Sequence, residues 1–119
     1  MAGEVVHYEI GVTDADRAQR FWSGLFGWEF GPSAMPEGEY RMAQTGPGSG
    51  AALNGFGEPG HPNVYHGVDD IDASIATVRE LGGEADEKQP VPTHGWFAAC
   101  KDTEGNVFYL WQQDASAGQ

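Results

Sequence analysis

Displaced by 56 residues, this sequence matches itself: Gly11-Val12 falls on Gly67-Val68, Asp14 on Asp70, Asp16 on Asp72, Leu25 on Leu81 and Gly27 on Gly83. An internal repeat restricts the fold more than any composition does, because each copy must adopt the same local order and bury its apolar face on a neighbour. Each copy reads as a short strand, an Asp-rich turn, an amphipathic helix stopped by glycine, and then strand chemistry. In the second copy Asp69 or Asp70 caps the helix. Ile71, Ile75, Val78 and Leu81 form its stripe, and Gly82-Gly83 supplies the left-handed stop. In the first copy Thr13 or Asp14 caps, and Ala15, Ala18, Phe21 or Trp22, and Leu25 form the stripe. The leading strands run from Val5 to Val12 and from Asn63 to Val68.

After the first helix, Trp28-Glu29-Phe30, Tyr40-Arg41-Met42-Ala43 and Ala51-Ala52-Leu53 read as strands, separated by Gly31-Pro32 and by Gly46-Pro47-Gly48-Ser49-Gly50. The second copy repeats this with the Glu84 region, Gly95 to Lys101, and Asn106 to Gln112. Asp102-Thr103-Glu104-Gly105 makes a hairpin turn between the last two, its glycine at the φ > 0 position. Gly57-Glu58-Pro59-Gly60-His61-Pro62 is the linker. Each half is therefore predicted as βαβββ, and the whole as one domain over 1–119. Module one spans about 5–57 and module two about 62–113, with frayed ends at Met1–Glu4 and Asp114–Gln119.

Composition narrows the function classes. Eighteen acidic against six basic side chains give a formal charge of −12, which opposes nucleic acid and anionic membrane surfaces. No apolar run approaches the ~18–20 residues of a membrane span. Met1-Ala2-Gly3-Glu4 lacks the basic start and apolar stretch of a signal peptide, so a cytoplasmic protein is expected. The single Cys100 excludes an internal disulfide framework and a Cys-rich zinc site, and reads as a small buried hydrophobe. The Gly46–Gly50 run opens no helix and lacks a following Lys-Ser/Thr, so it is no phosphate cradle. No Ser-x-Gly elbow follows a strand, which leaves serine hydrolysis without support.

Four stretches carry a family resemblance over roughly Val5 to Gln113. They are Val6-His7-Tyr8-Glu9-Ile10, Phe21-Trp22-Ser23-Gly24-Leu25-Phe26-Gly27-Trp28, Val68-Asp69-Asp70-Ile71-Asp72 and Asp102-Thr103-Glu104-Gly105-Asn106. With the paired βαβββ order, they resemble the vicinal oxygen chelate superfamily, which includes glyoxalase I, the extradiol dioxygenases and the bleomycin-resistance proteins. The resemblance implies an α+β fold of two tandem modules forming a half-barrel pocket. It also implies a homodimer and, in metal-dependent members, two His, Gln or Glu ligands per module. Those family positions fall here on His7, Asn63, Tyr109, and Leu53 or Asn54. Only His7 is a ligand of the family type, whereas catalytic metal sites typically use three protein ligands. No metal cofactor is therefore expected, and a divalent ion held by His7 with Glu9 is the alternative.

Strand alternation supplies a metal-free reading of the same faces. His7 selects Glu9, Asn63 selects Tyr65, and Tyr109 selects Val107 and Trp111. Aromatic walls with a few placed polar groups are the usual lining of an organic-ligand site. His7 and Glu9 either hold a ligand's polar edge or act as a general acid–base pair. Against this stand plainer readings: His7 as a core histidine satisfied by a carbonyl, Glu9 in a structural pair with His7 or Arg41, and Tyr65, Tyr109 and Trp111 as packing. His94 lies in a loop expected at the pocket rim, His66 on the helix-facing side, and His61 on the linker surface. The expected ligand-binding set is thus His7, Glu9, Asn63, Tyr65, His94, Tyr109 and Trp111. The expected function is metal-independent binding of an aromatic or cationic small molecule, as in the sequestering, resistance-type members. The alternative is a lyase, isomerase or cyclase using His7 and Glu9.

Overall fold

The computed structural model describes residues 3–119. The frayed end expected at Met1 and Ala2 lies outside the described residues. The chain forms two compact units, Val6–Asn63, and Val64–Gln119 together with the N-terminal residues up to Val5.

The first unit holds β1 (Val5–Gly11), α1 (Ala15–Phe26), β2 (Tyr40–Gly46) and β3 (Ser49–Asn54), with strand order β2-β3-β1. Asp14 is the cap of α1: its carboxylate accepts from the Arg17 N–H at 3.0 Å. Gly27 ends the helix at φ 72°, a left-handed conformation that glycine adopts without a Cβ penalty. β1 runs parallel to β3 and β2 antiparallel to it, so one face carries Ile10, Leu53 and Ala43 and the other Glu9, Ala52 and Met42. Val12, Ala15 and Leu53 are buried between sheet and helix, with Ile10, Ala18, Trp22 and Phe30 packed around them.

The second unit holds β4 (Asn63–Gly67) from Val64 onward, α2 (Ile71–Glu80), β5 (Glu84–Ala85), β6 (Gln89–Val91), β7 (Gly95–Lys101) and β8 (Val107–Gln113). Its strand order is β4-β8-β7-β5, with β6 also on β7. Asp70 caps α2 through the Ala73 N–H at 3.1 Å, and the Gln112 side chain takes the Ile71 N–H at 2.8 Å. Ile71, Ile75, Ala98, Cys100 and Leu110 form its core. The Asp102–Gly105 turn is closed by the Gly105 N–H on the Asp102 carbonyl, at 3.2 Å. The mixed α+β architecture of two tandem modules is the one expected from the repeat.

Several local expectations are corrected. Trp28-Glu29-Phe30 stays outside the sheet, because only the Gly31 and Ala34 N–H groups beyond it reach β2, at the Met42 and Tyr40 carbonyls. In α1 the inward position belongs to Trp22, which stacks on Trp28 with centroids 5.5 Å apart at 7°. Phe21 and Leu25 lie 61% and 57% exposed, outside the stripe. Leu81 is exposed too, because it is the cap residue beyond the last turn of α2. β6 is an unexpected edge strand, with Pro90 tolerated at its centre because the strand pairs on one side only. The tail from Asp114 is tied down. Ala117 is fully buried, its carbonyl accepts from the Thr93 N–H at 3.1 Å, and Asp114 accepts from the Trp96 indole N–H at 3.1 Å. At the other end, Gly3 and Glu4 exchange backbone bonds of 2.8 and 2.9 Å with Gly67.

Candidate functional site

The helix-free face of the first unit carries a polar chain built from β1, β2 and β3 together with Asn63, the unit's last residue. Glu9 and His7 point to this face from β1, two residues apart. Tyr40 starts β2 opposite Asn54, two residues along the sheet from the level of Glu9, and its ring reaches back along the face. The Tyr40 O–H donates to Glu9 Oε2 at 2.7 Å, and His7 Nε2 lies 3.0 Å from the Tyr40 oxygen. The Asn63 and Asn54 amides approach Glu9 Oε1 at 3.3 and 3.5 Å. The Asn54 amide cannot turn over freely, since its Oδ1 takes the Phe56 N–H at 2.9 Å.

Small residues make room for this arrangement. Ala52, fully buried, lies opposite Glu9. Gly50 lies opposite His7, where an added Cβ would sit 3.2 Å from the Ala43 carbonyl and 3.6 Å from His7 Nδ1. A methyl group at Gly50 would press on the Ala43 carbonyl and touch the imidazole at ordinary contact distance.

Burial pushes the His7 pKa below its ordinary 6.5, with the Glu9 charge pulling partly the other way. The folded protein thus favours neutral His7, and the unfolded chain binds the proton first as pH falls. The stability this group contributes is complete above 6.5 and is lost as pH falls through the folded value. Thermal melts between pH about 7.5 and about 5 should show the wild type losing more stability than His7→Gln. Equal losses would contradict a buried neutral imidazole. The depressed carboxylates Asp14, Asp102 and Asp114 titrate below their ordinary 3.8, outside this window.

Arg41 is not a partner of Glu9. It alternates to the helix face, where it pairs with Asp16 at 2.9 Å and Glu39 at 2.7 Å. Among the described residues no lysine or arginine pairs with Glu9. His7 is hydrogen-bonded to the Tyr40 phenol at 3.0 Å. Of the family ligand positions, Leu53 is fully buried against α1. Asn54 and Asn63 spend their amides on Glu9, and Tyr40 stands between His7 and Glu9. This donor set does not fit a three-ligand metal centre, and no three His, Cys, Asp or Glu gather for one among the described residues.

The remaining candidates lie in the second unit. Tyr65 and Tyr109 pair in register and stack at 4.6 Å and 20°. Trp111 follows Tyr109 on the same helix-free face, and its ring closely borders the position a Gly95 Cβ would take. His94 sits in the β6–β7 turn after Thr93 (φ 67°), its ring engaged by the Pro92 carbonyl at 3.0 Å and the Thr93 hydroxyl at 3.3 Å. His66 faces α2, bonded to the Gly3 carbonyl at 2.8 Å and edge-on to Phe108. Cys100 is buried, and burial raises its pKa, so it is no thiolate nucleophile. Tyr40 and Asn54 as partners of Glu9 were missed, although counting alternation from Ala43 and Leu53 puts both on this face.

A family model for the glyoxalase-like domain matches residues 6–111. The putative glyoxylase CFP32 of Mycobacterium tuberculosis is 30% identical over 122 residues, covering 92% of this chain and 46% of that protein. The chain thus spans about half the length of this relative. A glyoxylase-like domain-containing protein of Didymella fabae is 31% identical over 126 residues, covering 88% of this chain and 90% of that one. Among solved structures, hypothetical protein BH1468 from Bacillus halodurans C-125 superposes with TM-score 0.70 at 19% identity, covering 98% and 99% of the two chains. Methylmalonyl-CoA epimerase from Mycobacterium tuberculosis gives 0.65 at 20%, covering 94% and 88%. A Streptomyces coelicolor methylmalonyl-CoA epimerase variant bound to 2-nitronate-propionyl-CoA gives 0.68 at 20%, covering all of both chains. At that identity the structures speak for the fold alone. With most of the chain matched by sequence and all of it by architecture, the chain belongs to the glyoxalase-like domain family of the vicinal oxygen chelate superfamily.

Proposed function

We propose that this chain is a metal-independent binding protein for a cationic or aromatic small organic molecule, of the sequestering or resistance type. The observation that carries the reading is Glu9, a half-buried carboxylate held by Tyr40, Asn54 and Asn63, all neutral donors. Among the described residues its negative charge has no lysine or arginine counter-ion, and the net charge of −12 favours approach of a cation. Titration calorimetry against a panel of protonated amines and aromatic cations tests it. Saturable binding of at least one is expected, and a flat response across the panel would overturn the reading. Stoichiometric metal in untagged protein, lost on His7→Ala, would overturn its metal-free part.

A second reading, a lyase, isomerase or cyclase, is favoured by one observation. His7 and Glu9 are joined through a hydroxyl, a geometry suited to passing a proton. The likeness of the fold to methylmalonyl-CoA epimerase is consistent with it. Turnover of any substrate should then depend on both residues, and activity surviving both His7→Ala and Glu9→Gln would end this reading.

No helix is long and apolar enough to cross a membrane among the described residues, and the buried free thiol of Cys100 suits a reducing, cytoplasmic compartment. Nucleic acid and membrane are not proposed as partners. A homodimer is, supported by the exposed Phe21, Leu25 and Phe26 on α1, each more than half accessible. Sedimentation at micromolar concentration should give a dimer that Phe21→Glu with Phe26→Glu converts to monomer. A wild-type monomer would refute it.

A further inference from the structure

We infer that Tyr40 is a positioning residue that fixes His7 as the tautomer protonated on Nε2. The inference concerns the site of the proposed function but holds in the ligand-free protein. A phenol has one hydrogen to give. Glu9, as a carboxylate, has none and only accepts. The Tyr40 O–H is therefore committed to Glu9 Oε2, at 2.7 Å. At 3.0 Å from His7 Nε2, the Tyr40 oxygen is left as the acceptor. A neutral imidazole meeting an acceptor at Nε2 carries its proton there and keeps its lone pair on Nδ1.

Glu9 in turn is oriented by the two asparagines. Both donate to Oε1, and Asn54 is prevented from flipping by the Phe56 N–H on its carbonyl. Oε2 is thereby the oxygen presented to Tyr40. The direction of the whole chain, from His7 to Tyr40 to Glu9, is set at its carboxylate end. Any proton His7 accepts while this chain stands is then taken up on Nδ1, the nitrogen over Gly50.

Substitution of Glu9 by glutamine makes the claim falsifiable. The two asparagine donors favour the glutamine oxygen at the Oε1 position, which turns its NH₂ toward Tyr40. The phenol oxygen must then accept, its hydrogen swings to His7 Nε2, and the imidazole proton moves to Nδ1.

Nitrogen-15 NMR of the imidazoles, at a pH where His7 is neutral, reads the tautomer directly, with the His7 signals assigned by loss in His7→Gln. The wild type is expected to show Nε2 protonated, Glu9→Gln to show Nδ1 protonated, and Tyr40→Phe to show a mixture. Wild-type amide spectra outside the site control for folding, which a merely structural Tyr40 would disturb without reversing the tautomer. A wild-type Nδ1–H form, or an unchanged tautomer in Tyr40→Phe, overturns the inference. An unchanged tautomer in Glu9→Gln overturns the orienting role of Glu9. None of these outcomes depends on a ligand, so failure of the calorimetric panel and failure of this inference are separate results.

Discussion

Leu53→Ala is expected to lower the unfolding free energy by about 2–5 kcal/mol, a large fraction of the ~5–15 kcal/mol typical of a domain. Leu53 sits on β3, the middle strand of the first unit, opposite Ile10 on β1 and Arg41 on β2. It is fully buried and points at α1 between Val12 and Ala15. Its same-face neighbour along the strand, Ala51, is fully buried and already minimal. Little is left to move into the space, so the cost belongs toward the upper part of the range, where cavities stay open. Urea unfolding at unchanged slope measures it. Leu81→Ala is the matched control, since Leu81 is 73% exposed and should change stability by less than about 0.5 kcal/mol. If Leu53→Ala cost no more than Leu81→Ala, the core of the first unit would be misassigned.

That pair of leucines also marks where sequence was and was not readable. Asp14, Asp70, Gly27 and the Ile71-Ile75-Val78 stripe act through contacts within a turn or two, so pattern alone located both helices. Leu25 and Leu81 satisfy the same 3–4 spacing, yet each falls at or beyond the last turn and is more than half exposed. Periodicity records which residues share a face, and only tertiary packing decides how far that face is covered. Trp28-Glu29-Phe30 fails for a related reason. Its aromatic composition suits a strand, but the same rings are taken by Trp22, Phe26 and Tyr8, and the backbone is left outside the ladder.

The site was legible to the extent that alternation reaches. Counting by twos from His7 found Glu9, and the 56-residue repeat found Asn63. Tyr40 was hidden because it lies diagonally across two rungs of the sheet, over the small Ala52, and no count along one strand reports a diagonal. The same blindness suggested Arg41 for Glu9, on charge alone. One residue of register puts Arg41 on the opposite face, with Asp16 and Glu39.

Glu9→Gln should weaken binding of a cationic ligand about 10- to 100-fold, the loss expected when a charged hydrogen-bond partner becomes neutral at a partly buried position. The substitution is close to isosteric: the bonds from Asn54 and Asn63 find the glutamine oxygen, the glutamine NH₂ donates to Tyr40 in place of accepting from it, and the fold should stand. What disappears is the charge that neutral donors hold on this face, with no lysine or arginine paired to it among the described residues. The loss should be selective. A neutral molecule of the same shape that makes no hydrogen bond to His7 or Tyr40 keeps its affinity to within about threefold, because its packing is unchanged and it never drew on the Coulomb attraction that is gone. Calorimetry on the cation and its neutral isostere, with both proteins, gives the four affinities required. The cationic reading requires the substitution to separate them. Equal weakening of both ligands would mean that Glu9 shapes the site without recognising charge, and no weakening of either would place the ligand elsewhere.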